Sequence, residues 1–382
     1  MRIAMIGTRG APAAYGGFET AVEEIGARLV ERGHEVVVYC HGAARPRRTT
    51  WRGMRLVHVP RLRLKAAETL SSSAAASIHL AVTRADMAFV FNAANAPFVS
   101  FLRGVGIPVA VHVDGLEWKR EKWNGAGRRY YRWAEREAVR TADALIADAQ
   151  GIADYYLAEH FAPTELLSYG APIIEQPTSG RIAELGLTPG GYHLVVARFE
   201  PENHVDVIVA GYAASDARRP LVVVGSAPHA AQHTAAIATI AADDDRVRLL
   251  GGVWDQQLLD ELYANALTYL HGHSVGGTNP SLLRAMGAAA QVIAWDVSFN
   301  RDVAGDVADY FIDARSVAAA IETAEADPAS TRYSGELLRE HARTTYDWDD
   351  VAAGYERLAQ RLVAPVERAV SDPARTTEAS RS

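Results

Sequence analysis

The chain has 382 residues, more than one hydrophobic core usually serves, so two domains are expected. Hydrophobic residues make up 49% and charged residues 22%, which excludes a disordered chain, and a single cysteine, Cys40, excludes a disulfide framework. The net charge of −7 divides unevenly: residues 1–170 carry 22 Lys/Arg against 17 Asp/Glu, a net of +5, and residues 171–382 carry 17 against 29, a net of −12.

MRIAMIG at the start reads as a buried strand (2–6) rather than a signal peptide, having no apolar h-region or cleavage site. A Gly-rich turn, GTRGAPAAYGGFE, leads into a helix from about Glu19 to Arg32, which Gly33 stops. Strands at 35–39 and 55–59 precede an Ala/Ser-rich helix at 66–84. Between Val36 and Ala67 there is no acid, but Arg45, Arg47, Arg48, Arg52, Arg55, Arg61, Arg63 and Lys65 are present. That stretch reads either as a solvated basic face or as a surface drawn to anions, each basic residue near a charged leaflet adding about 1 kcal/mol. No nucleic-acid motif appears, and the pI is about 6.0.

Strands at 87–91, 108–113 and 143–147 follow, with a helix at 126–140 between the last two. A second series starts near Tyr192: HLVVA, a helix at 203–214, PLVVVG, a helix at 229–241, VRLLG, a helix at 255–265, LTYLH, a helix after Pro280, and QVIAWD. Alternation of strand and helix predicts parallel sheets, and two such series predict two doubly wound α/β domains. No run of 18 apolar residues is present, so no membrane span is expected.

Ligands of open parallel sheets bind beyond the carboxyl ends of the strands. There the sequence places Gly, small polar or charged residues almost every time: GTRGAPAAYGG, NAANAP, DGLEWKREKW, RFEPEN, SAPH and GHSVGGTNPS. Gly-rich junctions at 7–17, 225–229 and 272–280 suit a phosphate-bearing ligand, since backbone N–H groups and helix dipoles favour negative charge. The first lacks G-x-G-x-x-G spacing, and no P-loop lysine occurs. Arg198, directly after a buried strand, suits a diphosphate as a bidentate donor; an ion pair with Glu200 or Glu202 is the alternative. His34, His112, His193, His204, His229, His271 and His273 show no metal-ligand spacing, and no nucleophile elbow appears, so neither a metal nor another cofactor is expected.

In MIGTRGAPAAYGGFETAVEE, HVDGLEWKREKW, ARFEPENH, GGVWDQQLLDELYANA and HGHSVGGTNPSLL, the chain resembles the retaining, two-Rossmann (GT-B) glycosyltransferases, within them the bacterial polysaccharide branch that includes rhamnosyltransferases. The resemblance covers about residues 1–362. It implies a metal-independent hexosyltransferase with a nucleotide-diphosphate sugar as co-substrate, dTDP-rhamnose by branch. It implies an acceptor domain at 1–170, a donor domain at 171–345, and a helix at 346–365 crossing back; residues 367–382 read as a disordered polar tail. It places Gly16, Gly17, Arg198 and Asn203 near the diphosphate, Gly251 and Val253 against the nucleobase, and Gly276, Gly277, Thr278 and Asn279 around sugar and phosphate. His112 and Asp114 fall near the sugar, with Asp114 before Gly115 read equally as a turn former. Glu117, Lys119, Arg120 and Lys122 fall on the acceptor side, toward a glycan or isoprenoid-diphosphate-linked acceptor.

A cytoplasmic enzyme in peripheral contact with an anionic inner leaflet is implied, released by salt on the order of a few hundred millimolar. Two positions depart from the wider family's Glu-x7-Glu pattern, which here reads Gly276 and Arg284, and Asn203 stands for its diphosphate lysine. Gly276 and Asn203 fit the branch; Arg284 does not, because a guanidinium accepts no hydrogen bond from ribose hydroxyls. Three readings of Arg284 stand: it leans out and donor affinity falls, activity has been lost, or the position was changed deliberately. A sugar-nucleotide epimerase on the same fold and a non-catalytic binding protein remain as rival functions.

Overall fold

The computed structural model describes residues 1–13, 16–42, 48–62, 68–113, 115–120, 123, 125–226 and 231–364. The first domain carries eight strands: β1 (Arg2–Ile6), β2 (Glu35–His41), β3 (Thr50–Trp51), β4 (Met54–Val59), β5 (Met87–Phe91), β6 (Val109–His112), β7 (Ala144–Ala147) and β8 (Glu165–Leu166). Their order across the sheet is β3-β4-β2-β1-β5-β6-β7-β8. The second carries β9 (His193–Val196), β10 (Leu221–Val224), β11 (Val247–Gly251), β12 (Thr268–His271), β13 (Gln291–Trp295) and β14 (Asp309–Phe311), in the order β11-β10-β9-β12-β13-β14.

Every pairing between described strands is parallel except the short β3–β4 hairpin. The two doubly wound α/β domains expected from the sequence are therefore present. Continuous apolar runs such as MAFVF and LVVV are buried from end to end because helices cover both sheet faces. In each sheet the chain reverses direction once, between β1 and β5 and between β9 and β12, and these switch points open crevices at the strands' carboxyl ends.

Several elements go beyond the sequence reading. The helix after β7 (Gln150–His160), strands β3, β8 and β14, and helices Ser298–Ala304, Ala314–Ala326 and Pro328–Thr345 were not anticipated. The last two carry plain start signals: Asp313 with Ser316 forms a capping box, and Asp327 caps a helix opening on Pro328.

The closing helix, Trp348–Val363, returns to the first domain and packs on the helix Gly17–Glu31. Arg28 Nε donates to Asp349 at 2.8 Å, and His34 Nε2 lies 2.8 Å from Glu356. Trp348 and Tyr355 are core residues, 7% and 1% exposed, and one apolar cluster runs from β1, β2 and β5 through this helix to β12 and β13. Cys40 is a buried thiol inside β2, pushed up to about 11 by burial.

The acid-free stretch is partly neutralised from outside: Arg52 pairs with Glu24 at 2.6 Å and Arg61 pairs with Glu68. Arg45, Arg47, Arg63 and Lys65 lie outside the described residues, as do His229 and the tail after Ala364.

The foot of the second domain supplies a pH-dependent part of stability. Buried His193 holds Thr268 Oγ1 at 2.7 Å through Nδ1 and Glu325 at 3.1 Å through Nε2, and the backbone N–H groups of Arg218 and Arg219 also donate to Glu325. Burial alone would raise the Glu325 carboxyl. The His193 hydrogen bond and the two N–H donors outweigh it and bring the group down to about 2 from 4.5. A depressed carboxylate stabilises above its unfolded value and loses that contribution as pH falls toward the folded one. Glu325→Gln is therefore expected to cost about 3 kcal/mol at pH 7, with the gap to wild type shrinking below pH 4.5 in urea titrations. A pH-independent gap would contradict the assignment.

Candidate functional site

The two crevices face one another. The helix Gly17–Glu31 begins at the first switch point with Gly16 as its cap, and the helix Pro280–Gly287 begins beyond β12 with Asn279 as its cap. A Cβ on Gly17 would stand 3.0 Å from Pro280 Cγ, so the two helix starts meet at a distance that suits glycine. The helix at Gly17 has no side-chain cap, while at Pro280 the first-turn N–H groups of Ser281, Leu282 and Leu283 are already held by Asn279, so what the second helix offers an anion is its dipole. Asn279 Oδ1 accepts from Ser281 N at 3.0 Å and from Ser281 Oγ at 2.8 Å, fixing the loop's exit.

The loop Gly276–Asn279 is latched to the first domain. Thr278 Oγ1, buried, donates to the Asp148 carbonyl at 2.7 Å, and a Cβ on Gly277 would fall 2.3 Å from Asp148 Oδ1. Gly115 meets the backbone of Gly276 and Gly277 just as closely. Asp148, directly after β7, was not singled out from the sequence; only its position after a strand pointed to it.

Arg198 follows β9. Its carbonyl accepts from Asn203 Nδ2 at 2.8 Å, and its guanidinium lies 3.4 Å from Glu200 Oε1, so the ion pair considered from the sequence is the one formed here. Asn203 is buried and ties that turn rather than presenting its amide to the cleft. The second-domain loops form one body: Ser274 N donates to the Glu202 carbonyl at 2.9 Å, and His204 Nδ1 to the Gly272 carbonyl at 2.8 Å. Gly251 ends β11 with φ +69°, and Val253 packs on the core from the loop beyond it.

His112 ends β6, 1% exposed and enclosed by Phe18, Phe91 and Tyr169. Burial lowers it to about 4, so the ring is neutral near pH 7. Its Nδ1 lies 3.3 Å from the Val113 carbonyl, which fixes the hydrogen there and leaves Nε2 as a bare, buried acceptor. A neutral acceptor suits a sugar hydroxyl better than a charge. Asp114 and Lys122 lie outside the described residues.

Of the residues the resemblance assigns to the acceptor, buried Glu117 pairs with Arg120 at 2.6 Å and accepts from Trp123 Nε1 at 3.2 Å. Lys119 Nζ sits 5.5 Å from the Trp118 ring centroid, a ring that Arg132 also covers. Arg284 pairs with Asp260 of the helix Gln256–Ala264, an acid the sequence reading had not connected to it. Among the described residues, no group of three His, Cys, Asp or Glu side chains is placed to hold a metal, and no helix is long and apolar enough to cross a membrane.

Comparison with known proteins agrees with this layout. Residues 16–170 match the "Glycosyl transferase 4-like domain" family and residues 191–327 match "Glycosyl transferases group 1". The alpha-maltose-1-phosphate synthase of Mycolicibacterium smegmatis is 26% identical, covering 92% of this chain and 97% of its own. The fold matches sucrose-phosphate synthase from Thermosynechococcus elongatus with a TM-score of 0.80 at 19% identity, over 94% of this chain and 98% of the other. It also matches Anabaena HepE, solved in complex with UDP-glucose, with a TM-score of 0.77 at 15% identity, over 94% and 100%. With both halves matched in order and the GT-B architecture in place, the chain belongs to the GT-B glycosyltransferases, its first domain of the glycosyl transferase 4-like kind and its second of group 1.

Proposed function

We propose that the chain moves a sugar from a nucleoside-diphosphate donor to a glycan or isoprenoid-diphosphate-linked acceptor, with retention and without a metal. The observation that carries this reading is the meeting of two helix N-termini, at Gly17 and Pro280, with Arg198 at the carboxyl end of β9 in the second domain. Negative charge develops on the leaving phosphate as the C1–O bond breaks, and dipoles already aimed at that point stabilise it without reorganising. The electron pair stays with the phosphate oxygen. The acceptor oxygen bonds to C1 on the vacated face, and its proton passes to the departing phosphate. His112, neutral and with Nε2 free to accept, orients the sugar. Rhamnose and a thymidine nucleotide are proposed from the motif resemblance alone. HepE in complex with UDP-glucose supports the broader nucleotide-sugar class.

Arg284 fits the first of its three readings, since its guanidinium is already engaged by Asp260. The test is thermal stability against a panel of nucleoside diphosphates. One of them at a hundred times its Kd should add about 2.7 kcal/mol, with Arg284→Ala binding it within about threefold of wild type. A folded protein indifferent to the whole panel would sink the reading. Turnover of a sugar nucleotide with no acceptor present would favour an epimerase.

A further inference from the structure

The second crevice contains two imidazoles that the reaction above leaves unused. His271 ends β12 and is 1% exposed; His273 lies two residues on, where the loop enters the cleft. Their rings stack at 4.4 Å and 14°. Tyr269 Oη lies 3.2 Å from His271 Nδ1 and donates to Ser281 Oγ at 2.9 Å, and Ser281 Oγ donates onward to Asn279. That order of donors places the His271 hydrogen on Nδ1. His271 Nε2 and His273 Nδ1 are both closed off from solvent, with no hydrogen-bond partner among the described residues. Buried polar atoms without partners are rare in folded proteins and call for an explanation.

The surroundings of His273 are fixed and cationic. Its carbonyl accepts from buried Asn300 Nδ2 at 3.0 Å, and the next residue is tied to Glu202. Burial, reinforced by the charges of His271, Arg198, Arg120 and His204, holds the His273 ring well below the ordinary histidine range. Arg198 comes from the loop after β9 and Arg120 from the first domain, so positive charge from both domains acts on this ring. The nearest carboxylates on those elements are engaged: Glu200 lies 3.4 Å from Arg198 and Glu117 lies 2.6 Å from Arg120. Of the two unpartnered nitrogens, His271 Nε2 is an acceptor in that tautomer, whereas His273 Nδ1 is free to carry a hydrogen and donate it to an anion at the ligand end of the sheet.

We propose that His273 is an anion-binding residue of this cleft, its Nδ1 donating to an oxygen of the terminal phosphate of a nucleoside diphosphate, with His271 backing the ring and Arg198 and Arg120 flanking it. The inference rests on the nucleoside-diphosphate reading above and adds a residue to it. A neutral imidazole avoids repelling the two guanidinium groups while the cleft is empty, and a phosphate dianion beside it would draw a proton onto the ring. The stack on His271 holds the ring plane in place.

The experiment is titration calorimetry of wild type, His273→Leu and His273→Asn with three probes: the nucleoside diphosphate that stabilises most, its monophosphate, and inorganic pyrophosphate. Asparagine keeps an N–H donor near the place of Nδ1; leucine removes it. Leucine is expected to weaken the diphosphate and pyrophosphate about 10- to 100-fold and the monophosphate by no more than about threefold, as loss of one charge-assisted hydrogen bond to the terminal phosphate requires. Asparagine should recover most of that loss. Unchanged diphosphate and pyrophosphate affinity in His273→Leu would overturn the proposal. So would an equal fall for all three probes that asparagine fails to recover, which marks a purely structural residue. Pyrophosphate binding that depends on His273 while no nucleotide binds would sink the nucleotide reading and leave this one standing. Absence of binding by any probe to wild type would sink both.

Discussion

Arg198→Ala is expected to lower kcat/KM for transfer by about 10²–10³-fold, the usual loss when one preorganised donor to a developing charge is removed. The geometry explains why one side chain matters so much. Arg198 leaves β9 at the switch point, and the turn behind it is tied through Asn203 Nδ2 at 2.8 Å and Glu200 N at 2.8 Å, so its backbone has little freedom. Its guanidinium is parked 3.4 Å from Glu200, with 41% of the Arg198 side chain exposed. An exposed ion pair of that sort is worth about 0–1 kcal/mol, so a diphosphate displaces Glu200 at small cost. Lysine at 198 should recover only part of the activity, because an ammonium cannot grip two phosphate oxygens in the bidentate way. Glu200→Gln should leave kcat alone and tighten the donor KM by a fewfold. Steady-state kinetics on the three variants check this, and an Arg198→Ala enzyme within about threefold of wild type would remove Arg198 from the site.

Arg198 also shows how far the sequence could be read. Its position was visible, because the mostly apolar HLVVA run reads as an interior parallel strand and the residue after it falls at the ligand end of the sheet. The same rule marks the loops after β1, β6 and β12, and it applies equally to Asp148 after β7 and to His271 and His273 at the end of β12. What it does not supply is partnership across the chain. That Thr278 latches to Asp148, that Arg284 is engaged by Asp260, and that Gly17 meets Pro280 are contacts between residues 24 to 263 positions apart, the first and last set by how two sheets face each other and the second by the packing of two helices of one domain. Spacing rules for one helix or one strand carry no such information.

The fold was legible for a different reason. Continuous apolar runs alternating with amphipathic segments leave few topologies open, since crossovers between parallel strands are short and right-handed. The elements that escaped include the two-residue strands β3 and β8, whose periodicity is too brief to register, the helix Gln150–His160, strand β14, and a run of helices after β13 whose caps were written in the sequence. Arg52 and Arg61 mark a second limit. A stretch with no acids of its own looked uniformly basic, yet Glu24 and Glu68, outside it in sequence, lie beside it in space.

Tyr355→Ala is expected to destabilise the protein by about 3–5 kcal/mol, the range for truncating a large buried aromatic ring. Tyr355 lies in the closing helix, follows the second domain in sequence, and is 1% exposed. Its ring meets Phe89 of β5 edge to face at 4.9 Å, so the residue ties the end of the chain into the first domain's sheet. Burial, with the Asp148 charge added, pushes its phenol well above the usual tyrosine value, which keeps it neutral and places it near the residue that latches Thr278. Tyr355→Phe keeps the ring and should cost no more than about 1.5 kcal/mol. Because one apolar cluster includes residues of β1, β5, β12, β13 and this helix, wild type and Tyr355→Ala should each unfold in a single urea transition, the variant's midpoint lowered and its slope unchanged. Two separated transitions in the variant would mean that the closing helix, rather than the shared core, is what couples the domains. A single transition with the predicted loss would mean that the cleft is held shut from behind by the same packing that folds each half.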